Sequence, residues 1–188
     1  MRSIKSEATR RLGRVIAPLS SAEGRRATEA VVAYIIDQAG AETRFQIVGV
    51  ELRIDKPANP EELPIRLIRV LAVEYERRRN LDFTVTTRGR IVQVAEDPII
   101  QPTFHNDEIQ EAREIAERNQ QVARVVRVEG AFASPFVPVR DAEQRNRLIG
   151  LHYAAIRRNL PAQFLGSAVV DLSERRFVSF EAAQAEAR

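Results

Sequence analysis

Few residues of this chain have the types and spacings that perform chemistry. Glu74 and Glu76 alternate in VLAVEYERRRN, so on a strand both carboxylates share one face, as general acid–base work requires. Arg77, Arg78 and Arg79 follow directly, and the pair reads as a solvated strand edge. Asp171 and Glu181 could meet only through tertiary structure. The two histidines, His105 and His152, lie in different segments without ligand spacing, so they read as a capping or surface residue and a strand residue rather than as metal ligands. Without cysteine there is no disulfide, thiolate metal site or thiol nucleophile. Arg88-Gly89-Arg90 reads as a turn, and no phosphate-cradling glycine motif or nucleophile elbow occurs. The expectation is a chain without catalytic residues, metal or cofactor.

Arginine is the other chemically distinctive residue. Arg10, Arg11 and Arg14, with Arg25 and Arg26 further on, form the one dense basic cluster, and at helical spacing Arg10 and Arg14 share a face. They are the candidate contacts for an anionic surface, nucleic acid or a partner. The sequence pI of about 9.8 overstates this signal, because the formal charge is only +3 and arginine stays charged to very high pH. Elsewhere Arg is interleaved with Glu and Asp, as on a solvated surface, so nucleic-acid binding is not expected at physiological salt.

A chain of 188 residues is one large domain or two small ones, each near the lower size limit for a self-sufficient core. Its hydrophobic share of 44% and charged share of 29% are those of a soluble globular protein, and no apolar run approaches the roughly 20 residues of a membrane span. MRSIKSEATRRLGRVIAPLSS has no continuous apolar core of the kind a secretory signal needs, so the expected location is cytoplasmic.

The elements that must position these residues follow in order. Residues 1–19 read as a basic arm ended by Pro18. Ser20 or Ser21 then caps a helix whose Ala27, Ala30, Val31, Tyr34 and Ile35 share one face, and Gly40 stops it. In FQIVGVELRIDKP, Val48, Val50, Leu52 and Ile54 alternate with polar or small residues, which predicts a strand with one buried face. PIRLIRVLAVEYERRRNL reads as a strand for its β-branched content, and DFTVTTRGRIVQV as a hairpin turning at Arg88-Gly89. The order then starts again after Gln101-Pro102. Asn106 is the expected cap of a helix with Ile109, Ala112, Ile115, Ala116 and Val122 on its apolar face. Strands follow at 131–139, 148–157 and 163–180, the last folding back at 173–175, and EAAQAEAR reads as a frayed helical end.

Two local identities support a repeat. Arg78-Arg79-Asn80-Leu81 recurs as Arg157-Arg158-Asn159-Leu160, and Arg90-Ile91-Val92 recurs as Arg176-Phe177-Val178. The predicted architecture is α+β, a basic arm (1–19) and two copies of a helix-plus-meander unit (20–100 and 101–181) with a short tail (182–188), whose halves are expected to superpose.

Pro18-Leu19-Ser20, Arg44-Phe45 and Val50-Glu51-Leu52, followed by Gln101-Pro102, Asp107-Glu108 and the stretch from Val122 to Gly130, resemble the words of the two small α/β domains that precede the catalytic domain of copper amine oxidases. The resemblance implies a cystatin-like fold in each half, one helix on a curved antiparallel sheet. That family's cofactor arises from a tyrosine in an Asn-Tyr-Asp/Glu setting and its copper takes three histidines. Tyr34, Tyr75 and Tyr153 have other neighbours, and only two histidines occur. The resemblance therefore implies a non-catalytic accessory or protein-interaction module, with a protein partner or a second copy of itself. The alternative is a small-ligand-binding protein using an apolar cup between helix and sheet.

Overall fold

The structure, a computed structural model, describes residues 15–57, 59, 62–96, 103–138, 145–158 and 161–183. Among them the chain is α+β, with three helices and two four-stranded antiparallel sheets. It divides into two compact units, one of Met1–Glu74 with Arg79–Asp97, the other of Tyr75–Arg78 with Pro98–Arg188.

In the first unit, α1 (Ser21–Ala39) begins at a capping box. Ser20 Oγ accepts from the Glu23 N–H at 3.3 Å and the Glu23 carboxylate accepts from the Ser20 N–H at 3.0 Å, so orphan donors at the helix start are satisfied reciprocally. Gly40, at φ 96°, ends the helix and donates its N–H to the Ile36 carbonyl. The strands β1 (Phe45–Asp55), β2 (Ile65–Glu74), β3 (Arg79–Thr86) and β4 (Ile91–Glu96) form a meander in sequence order. Ala27, Val31 and Ile35 of the helix close over Ile68, Val70, Ala72, Leu81, Phe83 and Val85, giving one apolar core. Tyr34 packs edge-on against Phe83 with ring centroids 5.5 Å apart.

Three expectations are corrected in this unit. The ladder of β1 and β2 slips between Ile47 and Gly49, so Val48 does not share the core face with Val50; Phe45 and Ile47 pack there instead, because one extra residue inverts the alternation. Ile54, at the far end of β1, is exposed. Glu74 is not a solvated edge residue: it is 1% exposed and Arg79, its cross-strand partner, donates to it at 2.6 Å. Glu76 lies in the turn after β2, so the two carboxylates share no strand face.

In the second unit, α2 (Asn106–Glu117) and α3 (Gln120–Val126) lie against a meander of β5 (Ala131–Phe136), β6 (Leu148–Ala155), β7 (Gln163–Asp171) and β8 (Arg176–Ala182). The cap is His105 rather than Asn106, which is already helical; the Asp107 N–H donates to His105 Nδ1 and the His105 N–H to Glu108. The single expected helix is two, because the Asn119 side chain accepts from the N–H groups of Gln121 and Val122 and starts a new helix. Residues 181–182 belong to β8, not to the tail; 184–188 lie outside the described residues, as do Asn159 and Leu160 of the second Arg-Arg-Asn-Leu. The hairpins β3–β4 and β7–β8 each carry a register slip in their ladder, at Thr84/Val85 and at Val169/Val170.

Candidate functional site

The second unit holds a cavity of about 290 Å³ between its helices and the edge of its sheet. Arg113 and Glu117, one turn apart on α2, line one side. Val126 of α3 and Ala131, Phe132 and Ala133 of β5 line the other, with Tyr153 of β6 completing the wall. Local sequence places each of them. Gly130 opens β5 at φ 76°, where a Cβ would lie 2.1 Å from the Ile156 carbonyl oxygen, so only glycine lets the chain pass close enough to β6 for the Ile156 N–H to bond the Gly130 carbonyl. Asn119 breaks the helical segment, and α3 carries Val126 to the rim. Arg113 Nη2 donates to the Ala133 carbonyl at 2.7 Å, anchoring α2 to β5.

Two polar groups in this wall are buried without a hydrogen-bond partner among the described residues: the Tyr153 hydroxyl and Arg113 Nε. Tyr153 is 1% exposed. Burial pushes its hydroxyl up to about 12, with the Glu117 carboxylate adding to the shift and the Arg113 guanidinium opposing it, so the phenol stays protonated and is a donor at neutral pH. An unsatisfied buried hydroxyl costs about 1–3 kcal/mol.

Each unit also carries a carboxylate–guanidinium pair at its helix start, half-buried in the first and buried in the second. In the first, Arg66 donates through Nε and Nη2 to Glu23 at 3.1 and 3.0 Å, and also reaches the carbonyls of Val15, Ala17 and Pro18. Hydrogen bonds from Arg66 and from the Ser20 N–H outweigh desolvation and hold Glu23 at about 2. In the second, Arg147 donates to Glu108 at 2.9 Å through both Nε and Nη2, bonds the Thr103 carbonyl, and lies 4.6 Å from the centroid of the Phe104 ring. Tyr75, in the turn that belongs to this unit, donates to Glu108 at 2.7 Å. Desolvation raises the Glu108 carboxyl, but the combined hydrogen bonds and the Arg147 charge win and its pKa is lowered. Both pairs are fully bonded fixtures of the fold. Sequence reasoning passed over them, although Ser20-x-x-Glu23 and the glutamate three residues after His105 are capping-box spacings.

The remaining sequence candidates take structural places. Arg26 donates through Nε and Nη2 to the Thr87 carbonyl at 3.2 and 3.1 Å, bracing the β3–β4 turn beside Gly89. Arg25 is exposed on α1, and Arg10, Arg11 and Arg14 lie outside the described residues. His152 stands on the outer face of the second sheet, stacked on Phe136 with centroids 3.9 Å apart and edge-on to Phe164 at 5.7 Å. Asp171 accepts from Asn146 at 2.6 Å, while Glu181 pairs with Ser167 across the β7–β8 ladder, so these acids share no site. Among the described residues no group of three or more His, Cys, Asp or Glu could hold a metal, and no helix is long and apolar enough to cross a membrane. Compared with known proteins, the chain matches no protein-family model and no curated protein.

Proposed function

We propose that this chain is a non-catalytic binding protein built as a tandem of two cystatin-like units, and that its second unit receives a small ligand in the cup between α2, α3 and the β5 edge. The cavity itself carries this reading: a space of about 290 Å³ with a largely apolar lining and one residue of each charge, Arg113 and Glu117, lies between the helices and the sheet edge. The tandem reading draws support from the matched hairpin slips and from the repeated Glu–Arg pair at each helix start.

A thermal-shift screen of small organic molecules tests the cup, run in parallel on the protein and on Ala133→Phe, whose ring would fill the cavity. Compounds that stabilise the first and not the second are expected. Stabilisation that is equal in both, or absent throughout, sinks the reading.

A second reading, the accessory or protein-interaction role that the amine oxidase resemblance implies, is favoured by the aromatic row Phe136–His152–Phe164 on the outer face of the second sheet. Its occupant is a protein partner or a second copy of the chain. Light scattering of the purified protein tests self-association, with a dimer that dissociates on Phe164→Asp as the supporting result.

A further inference from the structure

The free edge of the first sheet carries an inference independent of the cavity and of the aromatic face. We propose that β1 pairs antiparallel with β1 of a second copy of the chain, about a two-fold axis through Leu52, joining two four-stranded sheets into one of eight strands. Strand geometry, charge and apolar surface point to the same register.

An outer strand presents a row of N–H and C=O groups that another strand can pair. Among the described residues β1 is such a strand, bonded to β2 on one side and to no strand on the other. The remaining outer strands offer less. β5 contains Pro135, which has no N–H to donate, and the ladders that hold β4 and β8 slip within a few residues. Beyond its own slip at Ile47/Gly49, β1 faces β2 in regular register over the seven residues from Gly49 to Asp55.

Geometry restricts how two such runs can meet. Along β1 the backbone groups of alternate residues point at β2, and those of the residues between them point away. Two copies bond only where outward residues stand opposite outward residues, so the axis passes through a residue and not between two. Leu52 is the midpoint of the run, and an axis there pairs all of it, with Gly49 opposite Asp55, Val50 opposite Ile54 and Glu51 opposite Arg53.

Charge selects the same axis. An axis through Glu51 or Arg53 sets that residue against its own like charge, whereas an axis through Leu52 sets Glu51 against Arg53 twice per dimer. Both side chains have bonding capacity for this. Glu51 is 61% exposed and its contact with Arg69 is 3.9 Å long. Arg53 donates through Nε to Asp55 at 2.7 Å and through Nη1 to Thr84 at 3.1 Å, which leaves Nη2 for a carboxylate across the edge. Charges that keep a foreign strand off this edge therefore admit an identical one.

The opposite face agrees. Val50 and Leu52 stand beside Val70 and Ile68, two buried residues of β2, while Ile54 at the strand end is 36% exposed. In the paired sheet Leu52 meets its own copy and Ile54 gains the second copy's Val50 as a cross-strand neighbour, so one apolar row continues across the axis.

Sedimentation equilibrium of the full chain tests the pairing, and the parent is expected to dimerise. Glu51→Arg alone and Arg53→Glu alone each turn two favourable cross-strand pairs into two repulsive ones, and each is expected to weaken the dimer about tenfold. An equimolar mixture of these two variants restores opposite charges at both positions and is expected to dimerise as the parent does, a result that misfolding of either variant would not produce. Phe164→Asp, on the aromatic face, should leave this dimer intact. The chain has no cysteine, so Leu52→Cys gives a second readout. A residue on the axis lies opposite its own copy at a Cα separation of about 5 Å, and mild oxidation should yield a covalent dimer. Asp55→Cys, whose copies lie about 20 Å apart in this register, should not crosslink. A parent that stays monomeric, a mixture that stays monomeric, or a dimer lost in Phe164→Asp and kept in both charge variants overturns the pairing. Crosslinking through Asp55→Cys and not through Leu52→Cys overturns the axis.

Discussion

Each unit sets helix against a four-stranded antiparallel meander, and the two differ in how core and outer face are filled. Matching their ladders through the hairpin slips places Ile68 opposite Val85 as Ile149 is opposite Val170, and so aligns Arg66 with Arg147, Phe83 with Ala168 and Ala72 with Tyr153. In the first unit a continuous helix lays Tyr34 onto Phe83, and a closed apolar core results. In the second, the helix is broken at Asn119, Ala168 stands in the third strand, and the large ring is Tyr153 on the second strand, beside a cavity. The outer faces diverge as well. Glu51, Arg53, Arg69, Asp82 and Thr84 make a hydrogen-bonded charged lattice on the first sheet, whereas the second carries Phe136, His152 and Phe164. The first unit thus has a filled core and self-paired surface charges, and the second a cavity and exposed aromatic rings, the features on which the proposed binding role rests.

The largest effect that would sharpen this comparison comes from the two Glu–Arg pairs. Glu108 and Arg147 side chains are each 2% exposed, against 18% and 12% for Glu23 and Arg66. Removing one partner of a fully buried pair leaves an uncompensated charge, so Arg147→Ala is expected to cost about 3–5 kcal/mol. Arg66→Ala leaves Glu23 nearer water and loses charge-assisted hydrogen bonds worth about 1.5–3 kcal/mol. Urea unfolding of both variants measures the difference. Equal losses would mean that the second unit's pair is no more isolated from solvent than the first's. The double change Glu108→Leu with Arg147→Met should recover most of the loss, since it removes both charges together.

A smaller effect follows from acid. Both glutamates have folded pKa values below their ordinary range, Glu23 at about 2 and Glu108 lowered in direction. A depressed carboxylate stabilises the fold above its unfolded pKa, and that contribution is lost as pH falls through the folded value. Stability is therefore expected to hold at neutral pH and to fall between about pH 4.5, near the unfolded carboxylate value, and pH 2. Glu23→Gln keeps a capping-box acceptor but cannot ionise, and should flatten the first unit's share of that decline. An unchanged pH slope in this variant would remove Glu23 from the account.

Much of this architecture was readable from local pattern, and what escaped has a physical cause in each case. The β-branched content of PIRLIRVLAVEYERRRNL marked β2 as a strand, and Gly40 and Gly89 located a helix end and a turn, because residue propensity and backbone freedom are local properties. Val48 was misplaced because a single bulge residue inverts every side chain on one side of it. Glu74 looked solvated beside three arginines, yet it is buried with Arg79, since the hairpin rather than the charge run decides its neighbours. The cavity's lining was not legible in the sequence. Arg113 and Tyr153 are separated by a whole sheet's worth of chain, and no spacing rule joins a helix arginine to a tyrosine on a later strand. An unpartnered hydroxyl is likewise a property of packing, visible only when every neighbour is in place.

The smallest expected effect tests whether the helix break is what builds the cup. Asn119 accepts from Gln121 and Val122 N–H groups and so starts α3, the helix that brings Val126 to the cavity. Ser20 does the same service at α1, in the unit with the closed core. Replacing either cap with alanine is expected to cost about 1 kcal/mol of stability, since each leaves an orphan donor. Their consequences for binding should differ. With Asn119→Ala the first turn of α3 loosens, Val126 is less firmly held, and affinity for a compound found in the thermal-shift screen should fall by a few-fold; with Ser20→Ala it should not change. Titration of both variants, alongside their unfolding curves, separates the two outcomes. If both variants lose stability alike and both bind as the parent does, α3 is positioned by its packing on β5 and β7 rather than by its cap, and the broken helix is not the feature that sets the second unit apart.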